Sequence, residues 1–568
     1  MVREFRRRPT RRLVILGDPG MGKTTLAVLL LRELLAHPDG AEPVHVLLSM
    51  SGWDPGTESL HTWLAWRIAE GYPALHAADF GPDAVRALVD QRRILPVLDG
   101  LDELPERIRS AVLDRLNAAA TDPLILTCRT TEYEETLARH QGHRGLTGAA
   151  VLEPGRLEAA DAAAYLERSL PRTAATRWAK PLKLLRDDRN GPICRALSSP
   201  LALWLVRKVY VETGADPVEL CDTNRFATAD AITEHLLDHL VQAVVTANPP
   251  QRETGEQHPF GPRQAWDPVD AEKWLAFLAR HLNEIGSRDL AWWQLSLAAP
   301  GRTGALIKIG LGFGAVTAAW SVALFVFGLD FAIVFAPLIG LGFVLVSGSS
   351  TKEPVYADLR LRGRIRLLPR KLTSWPSIRA GLVIGVIVGV VLGLADRSWG
   401  ASAGGLVFGL VVILVFGVIE WAKTPLTSEG PQTPTVTFRR DLKLVYLYSL
   451  ACGFAFGPMF GLVFVLMFSS LAGFGLKLAA VLVFGSLFGL ASGFVYGLGQ
   501  SSGRHLVTVF VLHARGRGPL RLLKFLDDAH RLGILREAGP VYQFRHAKLQ
   551  DRLARSREVV GSHPHTPV

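Results

Sequence analysis

The fold is decided by one glycine-rich stretch of sequence, Gly17-Asp18-Pro19-Gly20-Met21-Gly22-Lys23-Thr24. It follows the apolar run Leu13–Leu16 and precedes the apolar run Thr25–Leu31. A buried strand, a glycine-rich turn and a helix in this order form a phosphate-binding loop, because the free amides at the helix N-terminus attract an anion. We expect Lys23 to reach the β- and γ-phosphates of a nucleotide and the Thr24 hydroxyl to bind Mg²⁺. These eight residues and Thr25 are therefore predicted to bind a nucleotide.

Composition places this loop in a large and unusually apolar chain. The 568 residues are enough for about three or four domains. Only 20% of the residues are charged, 49% are hydrophobic and the mean hydropathy is +0.22, which indicates that part of the chain lies in lipid. The four cysteines are far apart and indicate neither a disulfide framework nor a zinc site. The net charge of +11 is compatible with either nucleic acid or an anionic membrane as a partner. The positions of the charges along the chain must distinguish these two partners.

Three further segments continue the pattern of a parallel α/β sheet. Val44–Leu48 is a second apolar strand, Leu60–Gly71 has helical spacing, and Ile94–Leu98 is a third apolar strand. Such apolar runs are typical of strands covered by helices on both faces of a sheet. The third strand runs directly into Asp99, and ligands of open α/β sheets bind at the carboxyl ends of the strands. We therefore predict that Asp99 holds Mg²⁺, usually through water.

An acidic segment and an arginine follow two of the predicted strands. Asp99 opens the segment Asp99-Gly100-Leu101-Asp102-Glu103, in which Asp102 or Glu103 is placed to polarise the attacking water. The alternative is that these carboxylates lie at the solvated start of a helix, where the helix dipole favours them. A further strand, Pro123–Cys128, ends in Arg129, whose guanidinium is predicted to contact the γ-phosphate. The predicted catalytic residues are therefore Asp102, Glu103 and Arg129.

The middle of the chain, residues 151–300, has helical patterns. Leu157–Leu166 has apolar spacing suited to a helix, and Pro200 precedes an apolar helical run, where a proline at the first turn costs no hydrogen bond. Residues 246–266 are rich in Pro, Gly and charge and are interpreted as a linker. Ala271–Leu282 is strongly amphipathic, and the aromatic residues there and just beyond it are expected to be core residues or membrane-surface anchors.

Residues 301–500 are predicted to form a membrane block of three helical hairpins. Most of the apolar stretches in this block reach or approach the roughly 20 residues that span hydrocarbon as a helix. The six stretches are Leu306–Gly328, Phe331–Gly348, Ala380–Ala395, Ala403–Ile419, Leu444–Phe468 and Leu478–Leu498. The segments between the pairs, residues 352–371 and 423–443, are strongly basic, whereas the turns within the pairs are nearly uncharged. The positive-inside rule therefore predicts a multi-pass protein of the cell membrane with both termini in the cytoplasm.

The C-terminal piece, residues 501–568, is predicted to end as a winged helix does. Leu520–Ala529 is helical, Ile534–Glu537 and Val541–Phe544 flank a turn as a hairpin, and another helix starts near His546. A winged helix can bind DNA.

The motifs together resemble the NACHT family of STAND signal-transducing NTPases. The resemblance rests on the phosphate-binding loop, on Leu98-Asp99-Gly100-Leu101-Asp102-Glu103, on Leu126-Thr127-Cys128-Arg129 and on Phe544-Arg545-His546-Ala547-Lys548-Leu549-Gln550-Asp551. The last segment is similar to the family signature Phe-x-His-x-x-x-Gln-Glu, with Asp551 where Glu is usual. The resemblance implies that Pro200 packs on the nucleotide base and that His546 touches the β-phosphate of bound ADP, which locks the resting state.

The resemblance implies an architecture and a function. The resemblance covers roughly Leu13 to Leu205 and Leu520 to Leu553 and implies an α/β P-loop NTPase with a parallel sheet (1–150), a helical domain (151–300) and the winged-helix-like end (501–568). It does not cover the six-helix membrane block (301–500), which is predicted from hydropathy and charge alone. The implied function is a slow, membrane-anchored nucleotide switch in signal transduction, defence included. It rests with ADP, exchanges it for ATP (GTP being the alternative) with Mg²⁺, and forms a homo-oligomer in response to a trigger that the sequence does not identify.

Two other functions stay open at this point. One is an ATP-driven membrane transporter, and the other is a membrane-tethered winged-helix transcription regulator. The lipid bilayer is an expected partner, whereas nucleic acid is not, because membrane orientation accounts for most of the positive charge. We expect neither an effector domain before the loop nor sensor repeats after the winged helix, so the membrane block itself is a candidate for one of those roles.

Overall fold

The computed structural model describes most of the chain outside its most apolar part. The described residues are 2–139, 145–250, 261–295, 399–423, 432–447 and 501–555, except positions 39, 41, 52, 78, 82 and 189, with a few more between 354 and 386 and residue 450. They belong to two compact units. The first comprises Met1–Glu70, Asp83–Leu290 and Arg517–Val568, and the second comprises Gly71–Pro82 and Ala291–Gly516.

A parallel sheet forms the centre of the first unit. Its five strands are β1 (Arg12–Ile15), β2 (Val44–Ser49), β3 (Ile94–Asp99), β4 (Leu124–Thr127) and β5 (Ala149–Leu152). They are arranged in the order β2-β3-β4-β1-β5, and all paired strands are parallel. The central strands β1 and β4 are buried along their whole length, which matches their uninterrupted apolar sequence. This sheet with its helices fits the predicted α/β P-loop NTPase fold.

Helices cover the sheet and extend into the middle of the chain. Those up to the end of the sheet are α1 (Val2–Arg7), α2 (Lys23–Ala36), α3 (Leu60–Gly71), α4 (Ala84–Asp90), α5 (Glu106–Ala118) and α6 (Thr130–Arg139). Those beyond it are α7 (Ala159–Ser169), α8 (Ala175–Asp187), α9 (Pro192–Leu197), α10 (Pro200–Val206), α11 (Ala229–Ala247) and α12 (Pro268–Glu284).

The core of the first unit lies between the sheet and α2. Ala27, Leu30 and Leu34 recur at helical spacing on α2, and all three are buried. They pack in one cluster with Leu13 and Ile15 of β1 and with buried residues of the neighbouring strands. This packing fixes the start of α2, and hence the phosphate-binding loop, at the carboxyl end of β1.

The C-terminal segment returns to the first unit. It forms α15 (Leu522–Arg531), β6 (Leu535–Ala538), β7 (Val541–Phe544) and α16 (Ala547–Arg555), after α13 (Trp399–Lys423) and α14 (Ser501–Ala514) of the second unit. β6 and β7 form an antiparallel hairpin. α16 packs on α12 and α11, and its Arg552 pairs with Asp238 at 2.7 Å and with Glu234 at 3.1 Å. The predicted hairpin and flanking helices are therefore present.

A buried aromatic cluster organises the described part of the second unit. Trp292 is fully buried, and its indole Nε1 donates to Thr437 Oγ1 at 3.1 Å. The rings of Trp293, Phe438 and His505 each lie 5.2–5.5 Å from that of Trp292. Of the two roles expected for the aromatic residues in this part of the chain, Trp292 and Trp293 therefore have the core role.

The predicted membrane block gains no support from the described residues. Most of the six apolar stretches lie outside them: 306–328, 331–348 and 478–498 entirely, and 380–395 and 444–468 for the most part. Ala403–Ile419 falls within α13. Among the residues that the structure describes, none of the helices combines the length and the apolar character needed to cross a membrane.

Several elements were not predicted from the sequence, among them the strand β5 and the helix α1. The edge strand β5 has the short sequence Ala-Ala-Val-Leu, is partly exposed, and pairs on one side only with β1. Its two alanines are weak strand formers, so this short segment did not stand out as a strand. The helix α1 is similarly short and consists mainly of charged residues, with Phe5 as its one buried side chain.

Candidate nucleotide-binding site

The phosphate-binding loop has the backbone that its glycines permit. Gly20 and Gly22 have φ angles of +88° and +82°, in the left-handed region that side chains with a Cβ disfavour. Gly20 also lies against α10, since a Cβ added there would meet Leu201 Cβ at 2.8 Å. Its carbonyl oxygen accepts from the Leu201 backbone N–H at 3.1 Å. The loop is therefore tied to the helical segment that begins at Pro200.

Lys23 is the first residue of α2 and lies within the loop. Its Nζ donates to the carbonyl oxygens of Gly17 at 2.8 Å and Asp18 at 3.2 Å. Burial lowers the pKa of Lys23, and the neighbouring carboxylate of Asp102 opposes this shift. A partly desolvated ammonium group is attracted more strongly to a phosphate than one in bulk water, because the effective dielectric constant is lower.

Asp99, at the end of β3, makes direct contact with Thr24. The Thr24 hydroxyl donates to Asp99 Oδ1 at 2.8 Å, and the Thr127 hydroxyl donates to the same oxygen at 2.7 Å. Thr127 Oγ1 in turn accepts from the Gly100 backbone N–H at 2.9 Å, which fixes its orientation. Strands β3 and β4 are neighbours in the sheet, and this brings the two side chains together.

The pair Thr24 and Asp99 suits a Mg²⁺ ion. A hydroxyl and a carboxylate oxygen are hard donors, and Mg²⁺ in nucleotide sites takes its remaining ligands from water and phosphate. Within the described part of the chain, no group of three or more His, Cys, Asp or Glu side chains forms a metal site by itself. A metal ion here would therefore depend on a bound nucleotide for its other ligands.

The acidic segment after Asp99 is buried rather than solvated. Asp102 has only 7% of its side chain exposed and forms an ion pair with Arg129 at 2.8 Å. Burial raises the pKa of Asp102, although Arg129 and Lys23 oppose the shift. Burial also raises the pKa of Glu103 to about 7, and the positive charge of Arg536 acts against this rise. The two residues thus lie at the start of a short 3-10 helix, Leu101–Glu103, as the alternative expects, but their carboxylates are largely buried rather than solvated.

Arg129 follows β4 and is held by two carboxylates. Besides the contact with Asp102, its Nη1 bonds to Glu132 Oε1 at 2.9 Å. Burial would lower the pKa of Arg129, but Asp102 and Glu132 outweigh it, so the net shift is upward. The guanidinium is thus charged and oriented at the edge of the sheet where β3 also ends.

Pro200 and Trp204 supply an apolar wall beside the loop. Pro200 occupies the first turn of α10, after Ser199, whose hydroxyl accepts from Ala202 N at 3.2 Å as the N-cap. The Pro200 ring lies 3.9 Å from the position of a Cβ on Gly22. Both the first-turn role and the position beside the nucleotide loop therefore hold for this proline.

The C-terminal hairpin brings three more side chains to this site. His546 lies just before α16, with its ring 5.4 Å from that of Trp204. Burial lowers the pKa of His546 to about 4, with Arg545 and Arg536 adding to the effect, so the imidazole is neutral at pH 7. Arg545 lies over the Trp204 ring at 5.7 Å, and Arg536 forms an ion pair with Asp99 at 3.1 Å.

A cavity of about 510 Å³ joins the loop to the C-terminal hairpin. Of the predicted site residues, its lining includes Pro19, Gly20, Gly22, Lys23, Thr24, Thr25, Asp99, Asp102, Glu103, Arg129, Pro200 and His546. Gly17, Asp18 and Met21 belong to the loop but not to this lining; Asp18 pairs with Arg156 at 2.9 Å, and Met21 is buried. Residues separated by more than 500 positions in sequence thus face one space.

Other residues of the lining were not among the predicted site residues. They are Val28, Leu29, Thr127, Leu201, Trp204, Arg536, Arg545, Ala547 and Lys548, together with Gly100 of the acidic segment. Arg536 belongs to no recognisable motif. The one available signal was its place opposite Gln543 in the predicted hairpin, which identifies neither its direction nor its partner.

Comparisons with known proteins agree with this geometry. We found no curated protein with significant similarity to the chain. Residues 11–173 match the family model of the NACHT domain, and this range contains the whole parallel sheet and α7. The match supports a NACHT-family P-loop NTPase in this part of the chain, with the nucleotide binding and the use of Mg²⁺ that are typical of the family.

Proposed function

We propose that the protein is a STAND-type switch that binds and slowly hydrolyses a nucleoside triphosphate and rests with the diphosphate. The observation that carries this proposal is the shared cavity, to which the phosphate-binding loop and the segment around His546 both contribute. A hydrolase that turns over continuously needs only the phosphate-binding loop. A second wall supplied from the far end of the chain makes the occupancy of the site and the docking of that segment interdependent.

The charges around the cavity favour a polyphosphate. Lys23, Arg129, Arg536, Arg545 and Lys548 all line it. The first residues of α2 and of α16 also line it, and a helix N-terminus carries a partial positive charge. We assign the β- and γ-phosphates to Lys23 and the loop, Mg²⁺ to Thr24 and Asp99, and the base to the apolar wall at Pro200. ATP is the proposed nucleotide, with GTP as the alternative.

Two carboxylates are available for hydrolysis, and they differ in their partners. Asp102 is engaged with Arg129, so we assign it the role of orienting that guanidinium toward the γ-phosphate. Glu103 has a pKa near 7, close to the value at which a carboxylate exchanges a proton readily at neutral pH. We therefore propose Glu103 as the residue that polarises the attacking water.

His546 is the proposed lock of the diphosphate state. A neutral imidazole with one N–H can donate a hydrogen bond to a phosphate oxygen without adding a charge that must be desolvated. Its position before α16 couples that bond to the packing of α16 on α11 and α12. Loss of the contact would therefore favour release of the C-terminal segment and exchange of the nucleotide.

The decisive experiment is to identify the nucleotide that copurifies with the full-length protein. A tightly held diphosphate supports the switch, whereas an empty site with rapid multiple turnover contradicts it. Lys23→Ala should abolish triphosphate binding, measured with a fluorescent nucleotide analogue. Lys180→Ala removes an exposed lysine from α8 and serves as the matched control. Equal affinity in the Lys23→Ala and Lys180→Ala variants would refute the nucleotide site.

Membrane attachment and oligomerisation are further proposals. The support for attachment through residues 301–500 is the hydropathy and charge pattern of the sequence alone. Extraction of membranes with alkaline carbonate tests it, because a multi-pass protein stays in the pellet and a peripheral one is released. Homo-oligomerisation on triphosphate binding is tested by the mass of the detergent-solubilised protein with diphosphate and with a non-hydrolysable triphosphate. An unchanged mass would exclude activation by assembly.

A further inference from the structure

The nucleotide site contains an ion pair between residues that are 437 positions apart. Arg536, in β6 of the C-terminal hairpin, approaches Asp99 Oδ2 with its Nη1 at 3.1 Å. The Asp99 side chain is 6% exposed, and that of Arg536 is 26% exposed. Asp99 is the residue whose carboxylate, with the Thr24 hydroxyl, suits Mg²⁺.

Both oxygens of the Asp99 carboxylate are engaged. Oδ1 accepts from the hydroxyls of Thr24 and Thr127, and Oδ2 accepts from Arg536. A carboxylate this deeply buried needs a counter-charge, because desolvation penalises an unpaired charge. The guanidinium of Arg536 supplies the one positive charge that bonds directly to Asp99 among the described residues.

The position of Arg536 is fixed by its neighbours in the hairpin. Its Nε donates to Gln543 Oε1 at 2.9 Å, and these two residues are partners in the register of β6 and β7. The Gln543 amide nitrogen in turn donates to Ser49 Oγ at 3.1 Å, at the end of β2, and to Asp289. Three strands of the first unit, β2, β6 and β7, and the loop residue Asp289 therefore hold the guanidinium in place, so its contact with Asp99 is not that of a free surface side chain.

We propose that Arg536 is the counter-charge of Asp99 in the closed state and that a divalent cation competes with it for this carboxylate. The inference rests on the proposed switch and adds the means by which the metal regulates it. The cation and the docked hairpin each neutralise the same carboxylate, so each weakens the binding of the other by the same factor. The closed state then holds a diphosphate with little need for metal, and the metal that accompanies a triphosphate favours release of the hairpin.

The test measures metal affinity directly, with Mn²⁺ as the probe and electron paramagnetic resonance as the readout. Four full-length proteins, each saturated with ADP, are titrated with Mn²⁺: the wild type, Arg536→Gln, Arg536→Lys and Arg552→Gln. Arg552→Gln removes contacts of α16 with α11 but leaves Asp99 untouched, so it reports the effect of looser docking alone. Hydrogen exchange of residues 535–544 in the wild type, followed as Mg²⁺ is raised, gives a second readout that needs no variant.

We expect Arg536→Gln to bind Mn²⁺ about tenfold more tightly than the wild type, because the guanidinium that competes with the cation for the Asp99 carboxylate is removed. Arg536→Lys and Arg552→Gln should stay within about threefold of the wild type. Rising Mg²⁺ should reduce the protection of the hairpin in the wild type. Unchanged Mn²⁺ affinity in Arg536→Gln, an equal gain in Arg536→Lys, or constant protection of the hairpin overturns the inference. Failure of the wild type to bind ADP would instead refute the proposed switch itself.

Discussion

Asp528 is the side chain whose removal should most directly loosen the C-terminal segment. It lies in α15, is 1% exposed, and accepts three hydrogen bonds from the chain that leads into α12. The donors are the backbone N–H groups of Arg263 at 2.8 Å and Gln264 at 3.2 Å, and Trp266 Nε1 at 2.9 Å. Asp528→Ala would leave all three donors without this partner.

The structure sets the size of the effect. A hydrogen bond to a charged group contributes about 1.5–3 kcal/mol, and a buried donor left unpaired costs a similar amount. Bonds that share one carboxylate are not additive, so we expect about 3–5 kcal/mol for the loss of all three. This corresponds to an increase of about 10²- to 5 × 10³-fold in the equilibrium constant for opening of the segment. Asp528→Asn retains one acceptor oxygen and should have an intermediate effect.

The assay is hydrogen exchange of the β6–β7 amides, which gives the free energy of local opening. Asp527→Ala is the matched control, because within the described part of the chain the Asp527 carboxylate forms ion pairs at 3.4 Å with Arg263 and Arg531 and no shorter one. Such pairs contribute at most about 1 kcal/mol. If Asp528→Ala lowered the opening free energy no more than Asp527→Ala, the bonds around Asp528 would not hold the segment in place.

Two other predictions concern the nucleotide site. Burial raises the pKa of Glu103 to about 7, so the folded state prefers the protonated acid and loses stability as pH rises from about 4.5 to about 7. The glutamine in Glu103→Gln does not titrate. Its free energy of unfolding relative to the wild type should therefore rise by up to about 3 kcal/mol between pH 4.5 and pH 8. Pulse proteolysis in urea measures this difference, and a difference that does not change with pH would contradict the assignment. Gly20→Ala places a Cβ 2.8 Å from that of Leu201 at a φ of +88°, which should cost about 2 kcal/mol or more. Nucleotide affinity should fall with it, and calorimetry that gives wild-type affinity would show that the loop tolerates the change.

The predictions from sequence succeeded where the chemistry depends on residues close together along the chain. Lys23 and Thr24 are adjacent, and Asp99 comes directly after an apolar strand, so a linear pattern places each at the edge of the sheet. The sequence left Asp102 and Glu103 equivalent. Only the tertiary structure distinguishes them, because Arg129 follows a neighbouring strand and, of these two carboxylates, forms its ion pair with Asp102.

Linear patterns failed for residues whose role depends on contacts distant in sequence. Trp204 has the apolar character of any core residue, and nothing in its helix indicates that His546 and Arg545 lie beside its ring. Arg536 is one arginine among many in a basic chain. Its role depends on the ion pair with Asp99, which lies 437 positions away in the sequence.

By itself, the sequence determined the strand, loop and helix that create an anion-binding turn, because glycine conformation, helix amides and strand hydrophobicity are local properties. It also determined the hairpin and the helix between which His546 lies. Only the tertiary structure decided that this hairpin closes the same cavity and that its arginine neutralises the carboxylate suited to Mg²⁺. The physical reason is that a buried charge is stabilised by whichever opposite charge the fold brings within hydrogen-bond distance, and sequence separation does not limit that choice.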